Sequence, residues 1–274
     1  DRDDASLLQH FHESQKLLNL KVEWLTGAEA RETEPLLSPK ITAAISCTDD
    51  HQVDNRLMVQ ALISAYQKAG GTLCQNSPVE KIEAQNGRAR GVWVKDSLQE
   101  ADVIILAAGC WSGEIEGLPE TVKPPVRPVK GQMLSLRMEA GITPQKIIRT
   151  PRAKYGTNAY LVPKDDGRLI VGATSEEMGF DTQLTAGGLF ELLRSAWEAI
   201  PGIYDLPVLE TWSGLRPGSR DNSPILGQTA VENLIMATGH YRNGILLTPV
   251  TACEISSLIL TGQSSEVIAP FQLS

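Results

Sequence analysis

Apolar residues recur along this chain with two different periods, and the periods alternate. Between residues 6 and 20, Leu7, Leu8, Phe11, Leu17, Leu18 and Leu20 form a helix-like stripe, and Thr26 followed by Glu29 has the form of a capping box opening a second helix. Asp54 stands at the N-cap position of an amphipathic repeat of Leu57, Met58, Ala61, Leu62, Ala65 and Tyr66, which Gly70 and Gly71 terminate. Strand-like runs follow at 72–75, 79–84, 89–95 and 102–106, with Asn86-Gly87 marking a tight hairpin turn. The last run is almost wholly apolar, which predicts a strand buried on both faces.

Pro124, Pro125 and Pro128 separate this region from a second β-rich one, at 129–138, 159–162, 169–173 and 206–215, which reads as a large antiparallel sheet. A helix over 186–200, with Leu189, Leu192, Leu193, Ala196 and Trp197 facing inward, crosses between its strands. A short strand at 234–237 then runs into GlyHisTyrArgAsnGly and an apolar helix over 245–260. The pattern predicts a mixed α/β (α+β) fold. Its expected divisions are a helical part at 1–50, a helix-and-strand region at 51–124, a second β-rich region at 125–220, and a closing strand–helix part at 221–274.

Composition narrows the partners. A net charge of −8 with both signs mixed along the chain argues against nucleic acid or an anionic membrane surface. The longest apolar runs, such as 103–108 and 244–250, fall short of a bilayer span, so no membrane association is expected. Cys47, Cys74, Cys110 and Cys253 have no CxxC spacing, and a reducing cytoplasm is the expected compartment. His10, His12, His51 and His240 are scattered, so no metal centre is expected, and no GxSxG elbow appears. No secretory leader opens the chain, and its AspArgAspAsp start resembles a segment of a longer protein.

Several segments can carry chemistry. Ala107, Ala108 and Gly109 end a buried strand with small residues that let a ligand approach the backbone, although a tight turn that binds nothing explains them equally. Arg216 can grip a carboxylate through two parallel hydrogen bonds, or form an internal ion pair. Arg242 lies in a glycine-flanked turn at a helix start, where backbone amides also favour an anion. Tyr160 adds a phenol, which by itself is more often a satisfied core group.

The ordered set is sharper than its members. ValAspAsnArgLeu (53–57), IleLeuAlaAlaGlyCysTrpSer (105–112), ProValArgProValLysGlyGlnMetLeu (125–134), TyrLeuValPro (160–163), GlyArgLeuIleValGlyAlaThr (167–174), GlyLeuArgProGly (214–218) and AlaThrGlyHisTyrArgAsnGlyIleLeuLeu (237–247) together resemble the D-amino-acid oxidase superfamily, and within it the glycine oxidases of thiamine biosynthesis. The resemblance implies a partial FAD domain of the glutathione-reductase type, a substrate domain with a large antiparallel sheet and flanking helices, and FAD as cofactor. It implies cofactor contacts at Val79, Ala107, Ala108, Gly109, Trp111, Gly239, Arg242, Asn243, Gly244 and Ile245. It further implies that Arg216 binds the substrate carboxylate, Tyr160 orients the substrate, and Arg242 lies nearby. The reaction implied is oxidation of glycine or a similar small amino acid by oxygen, giving keto acid, ammonia and hydrogen peroxide.

Two departures stand beside it. The family's GxGxxG turn and ribose-binding acid do not occur in this sequence, which predicts weak FAD binding by the chain alone. Ser175 occupies a position after GlyAlaThr where a larger apolar residue can line the pocket in relatives, leaving sarcosine, D-alanine and proline open as substrates. Competing readings are an amine dehydrogenase or oxidase of the same superfamily, and a catalytically inactive substrate-domain module that packs against a partner. Self-association and a fused downstream domain are further expectations.

Overall fold

The computed structural model describes residues 2–139, 141–151 and 158–273. The chain opens with helix α1 (Arg2–Leu17), strand β1 (Val22–Thr26), helix α2 (Gly27–Thr33) and strand β2 (Ala43–Cys47). The capping box forms as its spacing predicts: Thr26 N donates to Glu29 Oε2 at 2.7 Å and Glu29 N donates to Thr26 Oγ1 at 3.3 Å. Strands β1 and β2 pair antiparallel with Trp24 opposite Ile45, a pair that residue alternation did not reveal.

Helix α3 (Asn55–Lys68) is followed by strands β3 (Lys81–Gln85), β4 (Arg88–Val94), β5 (Ser97–Glu100) and β6 (Ile104–Leu106). Asn86 and Gly87 both adopt positive φ, 52° and 77°, the conformation that a two-residue hairpin requires. The expected strand at 72–75 is irregular chain instead. Residues 71–74 find no ladder, and β-propensity without a paired neighbour does not make a strand. Two further expectations are corrected. None of the residues of α3 is buried, with Leu57, Leu62 and Tyr66 all exposed. An apolar stripe marks a capacity for burial and does not by itself bring a facing element. Strand β6, at the edge of its sheet, buries Ile104 and Leu106 but leaves Ile105, on the opposite face, 45% exposed.

The remaining elements are strands β7 (Arg127–Arg137), β8 (Ile148–Arg149), β9 (Tyr160–Pro163) and β10 (Arg168–Gly172), helix α4 (Ala186–Ala199), strands β11 (Val208–Gly218), β12 (Ile225–Gln228) and β13 (Leu234–Thr238), and helix α5 (Gly244–Thr261). Helix α4 starts where Thr185 accepts from Gly188 N and buries Leu192 and Ala196 as its stripe predicts. Trp197 is 44% exposed rather than inward, since it lies at the margin of that stripe. Helix α5 extends the apolar run 244–250 as far as Thr261. By length and composition alone it is long and apolar enough to cross a membrane, with mean hydropathy 1.6. Ile255 and Leu258 on it are buried against Leu226 and Ile235 of β12 and β13.

These elements form two compact units. The first comprises 1–54, 130–176 and 181–214, and the second 55–129, 177–180 and 215–274. In the first, the sheet order is β11-β7-β10-β9-β8, with β7, β10, β9 and β8 pairing antiparallel in turn. Leu134, Leu161, Leu169 and Val171 from this sheet pack on Leu192, Ala196 and Ile200. Buried beside this core, Lys130 Nζ lies 3.3 Å from Glu176 and 3.7 Å from Asp181, and donates to Gln183 O at 3.1 Å. In the second unit β12 pairs antiparallel and β6 parallel with the central β13, while β3-β4-β5 form a separate meander. Ile82, Leu106, Leu234 and Met236 belong to its main core.

Because Leu192 is fully buried in the first unit, Leu192→Ala is expected to cost about 2–5 kcal/mol of stability, read from the denaturant midpoint. A shift smaller than that of a surface substitution would mean the core closes around the cavity.

Candidate active site

The second unit places two sequence-distant turns at one end of a sheet. Strands β6 and β13 run parallel, with Ile104 opposite Leu234 and Leu106 opposite Met236, so the turns that leave them emerge side by side. Ala107, Ala108 and Gly109 follow the first strand, and Gly239 follows the second. The carboxyl ends of strands are where open sheets with parallel pairing receive ligands.

A buried polar stitch joins the turns. Ser112 Oγ and Thr238 Oγ1 are 2.8 Å apart, and Thr238 Oγ1 donates to Gly109 O at 3.0 Å. With that proton committed, Thr238 accepts from Ser112. Both side chains are buried, so hydroxyls at these positions are satisfied only by each other and by the turn. Sequence reasoning passed over both. The only signal was a small hydroxyl residue flanking each glycine turn.

Gly109 adopts φ +58°, and no heavy atom lies within 4 Å of the place a Cβ would occupy. Its backbone is therefore open to close approach. Gly239, at φ +75°, has Ile225 Cγ1 3.3 Å from the same position, so both conformation and space favour glycine there.

The chain after Gly239 is pinned to the end of β11. Gly218 bridges His240, and Tyr241 N donates to Pro217 O at 2.9 Å. Arg216 is thereby held one residue from a fixed backbone contact, half-buried. Tyr241 is itself at φ +49°, with the Arg242 guanidinium 5.2 Å from its ring centroid. The side chain of Arg242 is exposed. Helix α5 then begins at Gly244, and Asn243 makes no side-chain capping bond. The amides of a first helical turn lack partners within the helix, so this end favours negative charge. His240 Nε2 lies 3.0 Å from Thr251 Oγ1, which ties the turn to α5.

Of the other candidates, Trp111 closes a short 3-10 turn at 109–111 and is 53% exposed, Ile245 is exposed at the start of α5, and Val79 lies half-buried just before β3. Tyr160 belongs to the first unit. There it pairs with Gly172 in the β9–β10 ladder, and its hydroxyl donates to Met133 Sδ at 3.7 Å. A Cβ on Gly172 would meet the phenol at 2.7 Å, so glycine allows the ring to lie across the neighbouring strand. Ser175 is exposed.

Open backbone at Gly109, an uncapped helix start and flanking arginines suit an anionic, planar cofactor. Such a strand-end site is of the kind that receives a dinucleotide cofactor. The chain matches the family described as FAD dependent oxidoreductase over residues 1–258, and it belongs to that family. It is 40% identical over 248 residues to the bifunctional protein ThiO/ThiG of Synechocystis sp., covering 90% of this chain and 37% of that one. It is 33% identical over 255 residues to the glycine oxidase of Geobacillus kaustophilus, covering 92% of this chain and 66% of the relative. The crystal structure of glycine oxidase from Geobacillus kaustophilus superimposes with a TM-score of 0.89 at 31% identity, over all of this chain and 72% of that one. The fold is therefore that of glycine oxidase, and the chain spans 37% and 66% of the lengths of those two curated relatives.

Burial holds the His240 imidazole below its ordinary value, so the folded chain favours the neutral ring. The unfolded chain then binds the proton first as pH falls below about 6.5, and stability falls with it until the folded group also protonates. The melting temperature of the unmodified chain should drop more between pH 7 and pH 5 than that of His240→Gln. Equal drops would locate the acid sensitivity elsewhere.

Proposed function

We propose that this chain carries the catalytic framework of an FAD-dependent oxidase acting on glycine or a similarly small amino acid. One observation supports the reading most: the parallel pairing of β6 with β13, which sets the Gly109 and Gly239 turns at the same strand ends, beside Arg216 and Arg242. The similarity to proteins named glycine oxidase and ThiO/ThiG favours glycine and a link to thiamine biosynthesis.

FAD, when bound, would supply the two-electron oxidation of the amine to an imine, which water would hydrolyse to keto acid and ammonia, with oxygen as the final acceptor giving hydrogen peroxide. The protein's part is positioning. Ala107, Ala108, Gly109 and Gly239 offer backbone that a planar ring can approach, with Trp111 at the edge of the turn. Arg242 would bring a guanidinium, and the first-turn amides of Gly244 and Ile245 with Asn243 beside them would favour the part of a bound ring that gains negative charge. Val79 is assigned a main-chain contact further along the cofactor on resemblance alone. Arg216 holds the substrate carboxylate by a two-point charge-assisted contact, which fixes the direction of the α-carbon. Tyr160 is assigned the orienting role on the same resemblance. The amine needs no protein base if it binds neutral.

The test is flavin absorbance of the purified chain, FAD titration, and a peroxide assay with glycine, sarcosine and D-alanine. Arg216→Met is expected to raise KM for glycine about 10- to 100-fold, the loss of one charge-assisted contact, while leaving flavin absorbance in place. An unchanged KM would remove Arg216 from the carboxylate site. A chain that takes up no FAD and forms no peroxide would favour the alternative, a catalytically inactive module.

A further inference from the structure

A four-residue segment, 177–180, belongs to the second unit although the residues before and after it belong to the first. Two contacts hold it there. The ring of Phe180 stacks on Trp111 with centroids 6.0 Å apart and planes inclined by 28°. The carboxylate of Glu177 receives Arg127, with Nη2 at 3.2 Å and Nε at 3.3 Å. The same guanidinium donates through Nη1 to Ser219 O at 2.5 Å, on buried backbone three residues beyond Arg216. Arg127 lies directly against Gly218 on the way, since a Cβ there would stand in van der Waals contact with its Nη1 at 3.4 Å.

Arg127 therefore joins the strand end that carries Arg216 to the segment that carries Phe180. An exposed ion pair alone is worth little. The bond from a guanidinium to a part-buried carbonyl is the stronger half of the link, and it fixes the direction from which Arg127 reaches Glu177. The outcome is an aromatic pair at the Gly109 turn with both rings substantially uncovered, Trp111 at 53% and Phe180 at 42%.

We propose that Phe180, stacked on Trp111, is a specificity-determining wall favouring amines that carry an apolar substituent, and that Arg127 is the positioning residue that sets it. This rests on the assignment of the Gly109 turn to an amino-acid oxidase site. A flat apolar face gains from a buried methyl or ethyl group and gives glycine nothing comparable, so the pair affects substrates unequally.

Trp111 provides a readout that needs neither cofactor nor turnover. In Trp111→Phe the other tryptophans, Trp24, Trp93, Trp197 and Trp212, remain, and subtraction isolates the Trp111 emission. Phe180→Ala is expected to increase acrylamide quenching of that component about twofold as one ring face opens. Arg127→Met should shift it in the same direction and Arg127→Lys should recover part of the change, while the remaining emission stays constant as a check on folding. With FAD bound, Phe180→Ala should raise the KM ratio of N-ethylglycine to glycine about 3- to 10-fold. Unchanged Trp111 quenching in both Phe180→Ala and Arg127→Met overturns the wall and its anchor together. Altered quenching with an unchanged KM ratio overturns the specificity role. If the unsubstituted chain oxidises no amine with FAD present, the oxidase assignment fails and the specificity role fails with it. The quenching arm still decides whether Arg127 sets the stack.

Discussion

The parallel pairing of β6 with β13 is the constraint on which the candidate site depends. Gly109 and Thr238 are 129 positions apart, and only strands running the same way deliver the turns that follow them to one end of a sheet. An antiparallel pairing would send them to opposite ends and leave no shared surface. The direction is then locked by the Thr238 bond to Gly109 O and the Ser112 bond to Thr238. These satisfy two buried hydroxyls and the part-buried Gly109 carbonyl at once and cannot be reproduced if either turn shifts by a residue. Arg216 enters the same frame through backbone, by the Gly218–His240 bridge and the Tyr241 bond to Pro217 O.

The first unit solves a different problem, which is to keep a lysine buried inside a sheet. Lys130 is 0% exposed, and an unpaired ammonium there would be very costly. Glu176 and Asp181 supply opposite charge and Gln183 a carbonyl, so two chain segments are obliged to converge on one residue of β7. Burial alone would push the Glu176 carboxyl up, but hydrogen bonds from Thr174, Gln132 and Lys130 outweigh it and hold the group below the usual carboxylate range. Such a cluster gives little net stability over an apolar filling of the same shape. Its value lies in specifying where 174–185 must run.

How much of this could be read from sequence follows from the range of the interactions involved. The capping box at Thr26, the Asn86-Gly87 turn and helix α4 depend on residues within a few positions of one another, and they form as written. Strands β1, β2, β5, β8 and β12 were missed because they are short and of mixed polarity, and their partners make them strands. The apolar stripe of α3 was read correctly as a stripe but not as an exposed one, since burial depends on what lies opposite. In the site, the glycine turns were visible as small residues after apolar runs. The Ser112–Thr238 contact and the Arg127–Ser219 bond were not, because they join residues 126 and 92 positions apart.

Strain shows which of these contacts must hold most firmly. Tyr241 sits at φ +49°, a region that an L residue with a bulky side chain adopts only when its surroundings impose it. Pro217 O receives its amide, the neighbouring His240 is bridged to Gly218 and bonded to Thr251, and Asn243 N closes onto His240 O. Two separate elements, β11 and α5, therefore hold one turn that also closes on itself. The consequence is directional: with Tyr241 in that conformation, Arg242 is carried out to solvent and α5 begins immediately after it without a side-chain cap. A relaxed turn would let Asn243 fold back onto its own helix amides and remove the feature that suits this end of the sheet to an anionic ring.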